Sequence, residues 1–237
     1  MTTTKLSLIR HGESQWNKEN RFTGWVDIDL SEKGHTEAIL AGKILKKNGL
    51  FFEHGYTSVL KRAIHTLWLI LEQINQVWLP IEKSWRLNER HYGALQGLNK
   101  DQIIQKYGYN TVQQWRRSFN AIPPKICHHE NSQFIATNDK RYNNLTPEEL
   151  PNSESLAMTL NRILPYWNLS ILPNIKNKKN TIIVAHGNSI RALIKLLSNM
   201  NESEIFQVNI PTGIPLIYEF DKNTNLVQHY YLYNEPN

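Results

Sequence analysis

Cysteine is almost missing from this chain: Cys127 is the only one in 237 residues. No intramolecular disulfide can form, which agrees with a reducing compartment such as the cytoplasm. The first residues have no basic segment leading into an apolar core, so no signal peptide is expected. No apolar run reaches the length of a membrane span, and no membrane partner is expected. Long lysine or arginine tracts and RNA-binding signatures are absent as well. The chain is nevertheless basic, with a formal net charge of +6. A basic chain without a nucleic-acid motif makes a small phosphorylated anion at least as good a partner as RNA or DNA. Repeats of solenoid type are also lacking. Apolar content is ordinary and charges of both signs are mixed, as in a folded globular protein.

What is present alternates between strand and helix. Leu6, Leu8 and Ile9 form a short buried strand, followed by the polar turn Arg10-His11-Gly12-Glu13-Ser14. A long polar and aromatic loop runs to Leu30. Ser31 then caps a helix through Ala38, Ala41, Ile44 and Leu45 that closes at Gly49. Tyr56–Leu60 is read as a second strand, with an amphipathic helix from about Ala63 to Asn75 behind it. Ile81–Trp85 is a third strand. Two short helices, 100–107 and 112–119, open an insertion spanning roughly residues 99–151, too poor in apolar periodicity for a core of its own. Ser153 caps a further helix that Pro165 kinks or ends. Thr181–Ala185 is a continuous apolar run, a buried strand, followed by a helix. Residues 211–220 and 226–232 supply two last strands. Alternation of this kind predicts one α/β domain over residues 1–237: a mostly parallel central sheet, helices on both faces, and the helical and coil insertion over the active site.

Two strand ends carry the same pattern, Arg10-His11-Gly12-Glu13 and Ala185-His186-Gly187-Asn188. In an open α/β sheet, ligands bind at the carboxyl ends of strands. A glycine after each histidine lets the main chain turn tightly beside a ligand. The helix after His186 directs its free amides and positive dipole end to the same edge. Arg62 and Glu89 lie at two further strand ends. Histidine can attack phosphorus and form a phosphohistidine, provided the attacking nitrogen carries no proton; a backbone carbonyl near Gly12 would hold the other ring nitrogen. Arg10, Arg62 and a protonated His186 would neutralise the transferring group, and Glu89 is suited to moving a proton to or from the substrate oxygen. Fixed cations of this kind do a metal's electrostatic work, so no metal is called for.

These segments, with Phe22-Thr23-Gly24-Trp25, the run Glu89–Gly97, Trp115-Arg116-Arg117-Ser118, Pro151–Leu156 and Pro211-Thr212-Gly213, resemble the cofactor-dependent phosphoglycerate mutases of the histidine phosphatase superfamily. The likeness spans roughly residues 5–233. The first His-Gly motif marks only the superfamily; the Glu89–Gly97 and Trp115–Ser118 blocks single out the mutase. The resemblance implies that His11 is phosphorylated by 2,3-bisphosphoglycerate and exchanges its phosphoryl group with 2- and 3-phosphoglycerate, in glycolysis and gluconeogenesis. It implies that Glu89 moves the proton and that His186 stabilises the transition state. Arg10, Ser14, Asn17, Thr23, Gly24, Arg62, Arg90, Tyr92, Lys100, Arg116, Arg117, Gly187 and Asn188 would line the substrate site. A homodimer or homotetramer is implied too, with the second strand and the following helix as the contact.

Arg116 and Arg117 make independent sense, because a mutase must hold a second anion far from His11. A simple phosphatase acting on bisphosphoglycerate or another phosphomonoester needs no second clamp; it remains the competing reading. It is kept open by the short tail after Tyr233, since long-tailed relatives cover the site and exclude water, so more phosphatase leakage is expected here. A non-catalytic anion- or nucleic-acid-binding protein is the other alternative, and the His11, Glu89 and His186 set argues against it. His128-His129 finds no completing ligands nearby, and Cys127 reads as a spectator. Ser14 has a second reading as a turn cap.

Overall fold

The computed structural model describes residues 3–126 and 139–233. Cys127, His128, His129 and the tail Asn234–Asn237 lie outside the described residues. Six strands form one sheet: β1 (Thr4–Arg10), β2 (His54–Thr57), β3 (Ile81–Lys83), β4 (Thr181–Ala185), β5 (Leu216–Phe220) and β6 (Leu226–Tyr231), in the order β3-β2-β4-β1-β5-β6. The ladders from β3 to β1 are parallel, and β5 and β6 add antiparallel strands at one edge. The mixed α/β expectation is met, with the antiparallel edge as the qualification.

Alternation along β1 explains how both faces are covered. Leu6 and Leu8 face one apolar cluster together with Ile183, Ala185, Leu216 and Tyr218. Helices α6 (Leu156–Tyr166) and α8 (Gly187–Leu197) close that side through Leu156, Ile163, Ile190, Leu193 and Ile194. Ile9 faces the other way with Ile182, Val184 and Ile217. There, α2 (Glu32–Lys47) and α3 (Lys61–Gln73) supply Ala41, Leu45, Leu67, Ile70 and Leu71. Each fully buried leucine, isoleucine or valine among them contributes about 1.5–3 kcal/mol, so the sheet is a rigid platform for its strand ends.

Several boundaries differ from expectation for local reasons. β2 ends at Thr57, opposite Val184. Ser58 turns away to meet His186, and α3 starts at Lys61 rather than 63. β5 starts at Leu216, because Pro211 lacks an amide and Gly213 turns the chain at φ +65°. The cap of α6 is Ser155, whose hydroxyl accepts from the Met158 amide; Ser153 instead donates to the Pro123 carbonyl. Pro165 does not end the helix. A wider π turn over Trp167–Ile171 carries the chain into α7 (Leu172–Lys176). A short helix, α9 (Glu202–Gln207), had no counterpart in the sequence reading, although Asn201 and Glu204 form its capping box. After the long loop, with its single helical turn α1 (Gln15–Lys18), the insertion begins with α4 (Lys100–Tyr107) and α5 (Tyr109–Arg117). These helices share a small apolar cluster, Phe22, Leu95, Ile103 and Val112, with the loops beneath them.

Candidate active site

The register of the sheet creates the site. Arg10 pairs with Ala185 across β1 and β4, and the His11 amide donates to the Ala185 carbonyl at 2.9 Å. His186 is the next residue after β4, so both histidines leave the sheet side by side. Their ring centroids are 5.0 Å apart, inclined at 62°. His11 Nδ1 lies 2.6 Å from the Gly12 carbonyl oxygen. A carbonyl only accepts, so Nδ1 carries the proton and Nε2 is left with its lone pair. Arg62 Nε donates to that Nε2 at 3.3 Å. Burial, then the Arg62 and Arg10 guanidinium groups, hold the His11 pKa well below 6.5, outweighing the Gly12 carbonyl. The ring is neutral and held in one orientation, with no proton on Nε2.

His186 is equally buried, and its Nε2 shares a 2.8 Å hydrogen bond with Ser58 Oγ. Desolvation, with Arg62 as the next cause, pushes its pKa well below 6.5 as well. The expectation of a protonated His186 is therefore corrected: in the free site it is neutral, and the fixed cations are arginines and a lysine.

Arg62 is fully buried in α3. It donates Nη2 to the Gly24 carbonyl (2.8 Å) and Nη1 to the Val26 carbonyl (2.9 Å), tying the long loop to His11. Burial pulls its pKa down to about 10 against the pull of Glu89. Arg10 donates Nη1 to the Ile210 carbonyl (2.9 Å), while its buried Nε has no partner. Glu89 follows β3 in an irregular stretch. Its Oε1 accepts from the Arg90 amide (2.8 Å) and from the Asn188 amide (3.0 Å) at the start of α8. The helix N-terminus thus grips one carboxylate oxygen. The other lies 3.6 Å from where a Cβ on Gly187 would stand, and Arg10 Nε lies at the same distance.

One cavity is lined by Arg10, His11, Asn17, Thr23, Gly24, Arg62, Glu89, Tyr92, Lys100, Arg116, Arg117, Gly187 and Asn188. The insertion brings Lys100 and the Arg116–Arg117 pair, from α4 and α5, to face the strand ends. Burial lowers the pKa of Lys100 and of Arg117, with Arg116 adding to each. Burial would raise that of Tyr92, but the neighbouring Arg90 turns the net shift downward. Three expected residues stand behind the wall. His186 backs His11. Arg90 is buried and donates Nη2 to Tyr92 Oη (3.1 Å) and to the Arg116 carbonyl (2.8 Å). Ser14 accepts from the Asn17 amide (3.2 Å), and Asn17 Oδ1 accepts from the Ser14 amide (3.1 Å). Ser14 therefore caps α1 and sets Asn17, which does reach the cavity.

Arg21, Phe22, Arg191, Asn209 and Ile210 also line it and had been given no role. Arg191 was concealed among the apolar residues of α8. A helical count from Gly187 would have found it, since positions four apart share a face. It donates to the Arg116 carbonyl (3.2 Å) and the Val208 carbonyl (2.8 Å). Against this set of cations the cavity offers one carboxylate, and the buried Nε atoms of Arg10, Arg90 and Arg191 have no partner. Such a lining suits an anion carrying several charges.

The chain belongs to the histidine phosphatase superfamily: the profile of its branch 1 matches residues 6–136 and 127–232. It is 74% identical over 232 residues to the 2,3-bisphosphoglycerate-dependent phosphoglycerate mutase of Blochmanniella pennsylvanica (strain BPEN), covering 98% of this chain and 100% of that one. The protein of the same description from Blochmanniella floridana is 61% identical, covering 98% and 99%. Within the superfamily, then, the chain is a member of the 2,3-bisphosphoglycerate-dependent phosphoglycerate mutases. The fold extends to remote structures: a mycobacterial glucosyl-3-phosphoglycerate phosphatase superposes with a TM-score of 0.70 at 22% identity, over 96% of this chain and 97% of that one.

Proposed function

We propose that this chain interconverts 2- and 3-phosphoglycerate through a phosphohistidine on His11 primed by 2,3-bisphosphoglycerate. The observation that carries the reading is the lining of one cavity: His11 and Arg62 from the strand ends share it with Lys100, Arg116 and Arg117 of α4 and α5, which we read as a second anion clamp. His11 Nε2 attacks phosphorus while Nδ1–H stays on the Gly12 carbonyl, so the ring needs no rearrangement. Arg10 and Arg62 balance charge on the equatorial oxygens, and His186 supports them from behind. Glu89 gives its proton to the departing sugar-acid oxygen and takes one from the hydroxyl that accepts the phosphoryl group in return. Asn17, Thr23, Gly24, Tyr92, Gly187 and Asn188 shape the space between, and Arg90 and Ser14 hold its walls.

Incubation with 2,3-bisphosphoglycerate should place an acid-labile phosphate on the protein. His11→Ala should take up none and show no mutase turnover in a coupled assay of 3-phosphoglycerate; uptake by that variant refutes the assignment. The competing phosphatase reading shares the His11 chemistry. Its signature would be release of inorganic phosphate from 2,3-bisphosphoglycerate faster than mutase turnover.

This reading places the enzyme in the cytoplasm, where phosphoglycerates are made and consumed. We also place a subunit contact on α3 and on the loops before β2 and after α3, where Trp68, Phe51, Val77 and Trp78 are exposed; β2 itself, expected to share that contact, lies inside the sheet between β3 and β4. Phe51 and Trp78 pack on each other there at 6.0 Å. Trp68→Glu should shift the sedimentation of the protein toward monomer; an unchanged profile refutes that placement.

A further inference from the structure

Glu89 belongs to neither a helix nor a strand, yet its carboxyl group has to meet a departing oxygen within hydrogen-bond reach. A residue outside the cavity grips the stretch that carries it. Arg162, on α6 and 8% exposed, donates to the carbonyl oxygens of Arg86, Asn88 (3.0 Å) and Glu89 (2.9 Å). The same guanidinium pairs with Glu154, which is 2% exposed, through Nε to Oε1 at 2.7 Å and Nη2 to Oε2 at 3.1 Å. Glu154 in turn accepts from the His91 amide (2.7 Å), and its own amide donates to the His91 carbonyl (2.8 Å). One buried ion pair thus holds the main chain on both sides of Glu89. The indole of Trp25 adds a second donor to the Glu89 carbonyl at 2.6 Å and lies 5.6 Å beneath the Arg162 guanidinium.

We infer that Arg162 and Glu154 are positioning residues for Glu89: they touch no substrate, and they fix the backbone from which the carboxyl group reaches the reacting oxygen. This rests on the reading of Glu89 as the proton carrier. In the priming step the His11 Nε2 lone pair forms the N–P bond. The P–O ester bond breaks with its electron pair going to oxygen, and a proton that Glu89 has first taken up from solvent moves from its carboxyl group to that oxygen, leaving the carboxylate again. A small drift of Glu89 slows this transfer without weakening the arginine and lysine contacts that bind the anion. The planar fork suits the task. A lysine ammonium is a point charge and cannot hold several carbonyls and a carboxylate in one plane. Stability alone does not account for the pair, because a buried ion pair adds little over apolar residues of the same volume.

The test is a cycle of variants read in single-turnover phosphorylation of His11 by 2,3-bisphosphoglycerate, with affinity measured separately. Arg162→Lys should lower the rate constant roughly 10- to 100-fold, the scale of a misplacement of about 1 Å, and leave the dissociation constant within about twofold. In the Glu89→Gln background, where no proton can be given, the same change should cost no further rate, because groups that act as a unit are not additive. A variant with both partners made apolar, R162M/E154L, keeps the interior free of an unpaired charge and should behave alike if Arg162→Lys does not fold. Equal losses in the wild-type and Glu89→Gln backgrounds, a change confined to affinity, or no change at all would each overturn the positioning role. A wild-type rate in Glu89→Gln itself would instead remove Glu89 from proton transfer, and the pair's role with it.

Discussion

Replacing Gly34 by alanine is expected to damage catalysis although Gly34 touches no substrate. The turn after β1 packs main chain to main chain against the start of α2. A Cβ on Gly34 would stand 2.0 Å from the Glu13 carbonyl oxygen and 2.9 Å from the Glu13 C and N atoms. A Cβ on Gly12 would meet the Gly34 carbonyl oxygen at 2.2 Å. Ordinary contact begins at 3.4 Å, and the atoms struck are backbone, unable to swing aside. The turn and the helix must separate by roughly 1 Å in an interior with no slack. Overpacking of this kind costs about 1–3 kcal/mol. Gly12 also supplies the carbonyl that orients the His11 ring, so the nucleophile moves with the turn. A misplacement of about 1 Å is worth roughly 100-fold in rate. Gly34→Ala should therefore lower kcat and the single-turnover rate of His11 phosphorylation by roughly 10- to 100-fold, with Tm lowered by about 2–4 °C for each kcal/mol lost. Gly49→Ala is the control. Gly49 has φ +63° and open space around it, so alanine strains the backbone there without touching the turn. It should lose stability and keep its rate. A Gly34→Ala enzyme with wild-type kcat, or a loss matched by Gly49→Ala, refutes the reasoning.

Acid should weaken the fold earlier than carboxylate titration alone predicts. Burial, with Arg162 second, pushes the His91 pKa from 6.5 down to about 3. Below pH 6.5 the unfolded chain takes up a proton that the fold refuses, so stability falls as pH drops toward 3; at about 1.4 kcal/mol per unit, His91 alone is worth up to about 5 kcal/mol over that window. His11 and His186 act with the same sign. Urea midpoints should fall between pH 7 and pH 5, and His91→Gln should flatten the slope; equal slopes would refute it. Arg191→Met should raise KM for phosphoglycerate about 10-fold or more, because a hydrogen bond to a charged group is worth about 1.5–3 kcal/mol. An unchanged KM in the coupled assay would show that Arg191 serves only to hold Arg116.

His11 and His186 were legible because each ends an apolar strand and precedes a glycine, a local pattern that survives in one dimension. That they stand together follows from the β1–β4 register, which strand order decides and local sequence does not. Arg62 was visible at a strand end, but its grip on the Gly24 and Val26 carbonyls was not. Arg116 and Arg117 were readable as a pair of adjacent arginines, and both line the cavity. Arg191 was hidden because it is buried among α8 residues whose pattern reads as core, and Arg90, though expected in the site, gave no sign that it would hold the Arg116 carbonyl from behind. Arg162 and Glu154 look like surface charges on an amphipathic helix until the fold brings the stretch after β3 against them. Ser153 and Ser155 are both plausible caps, and only the Met158 amide chooses between them. The protonated His186 failed for an electrostatic reason: nearby arginines and full burial cannot be weighed from a motif.

The cation-lined cavity also makes the protein's persistence depend on its metabolites. Arg10, Arg62, Lys100, Arg116, Arg117 and Arg191 face Glu89 as the lone carboxylate of the lining, and loss of solvent on burial lowers the pKa of Arg10, Arg62, Lys100, Arg117 and Arg191. A bound phosphoglycerate is the counterion that this interior lacks. An occupant at 100 times its dissociation constant stabilises the fold by about 2.7 kcal/mol, a large share of a typical margin of about 5–15 kcal/mol. When phosphoglycerates run low, the emptied enzyme opens more often and becomes easier to degrade.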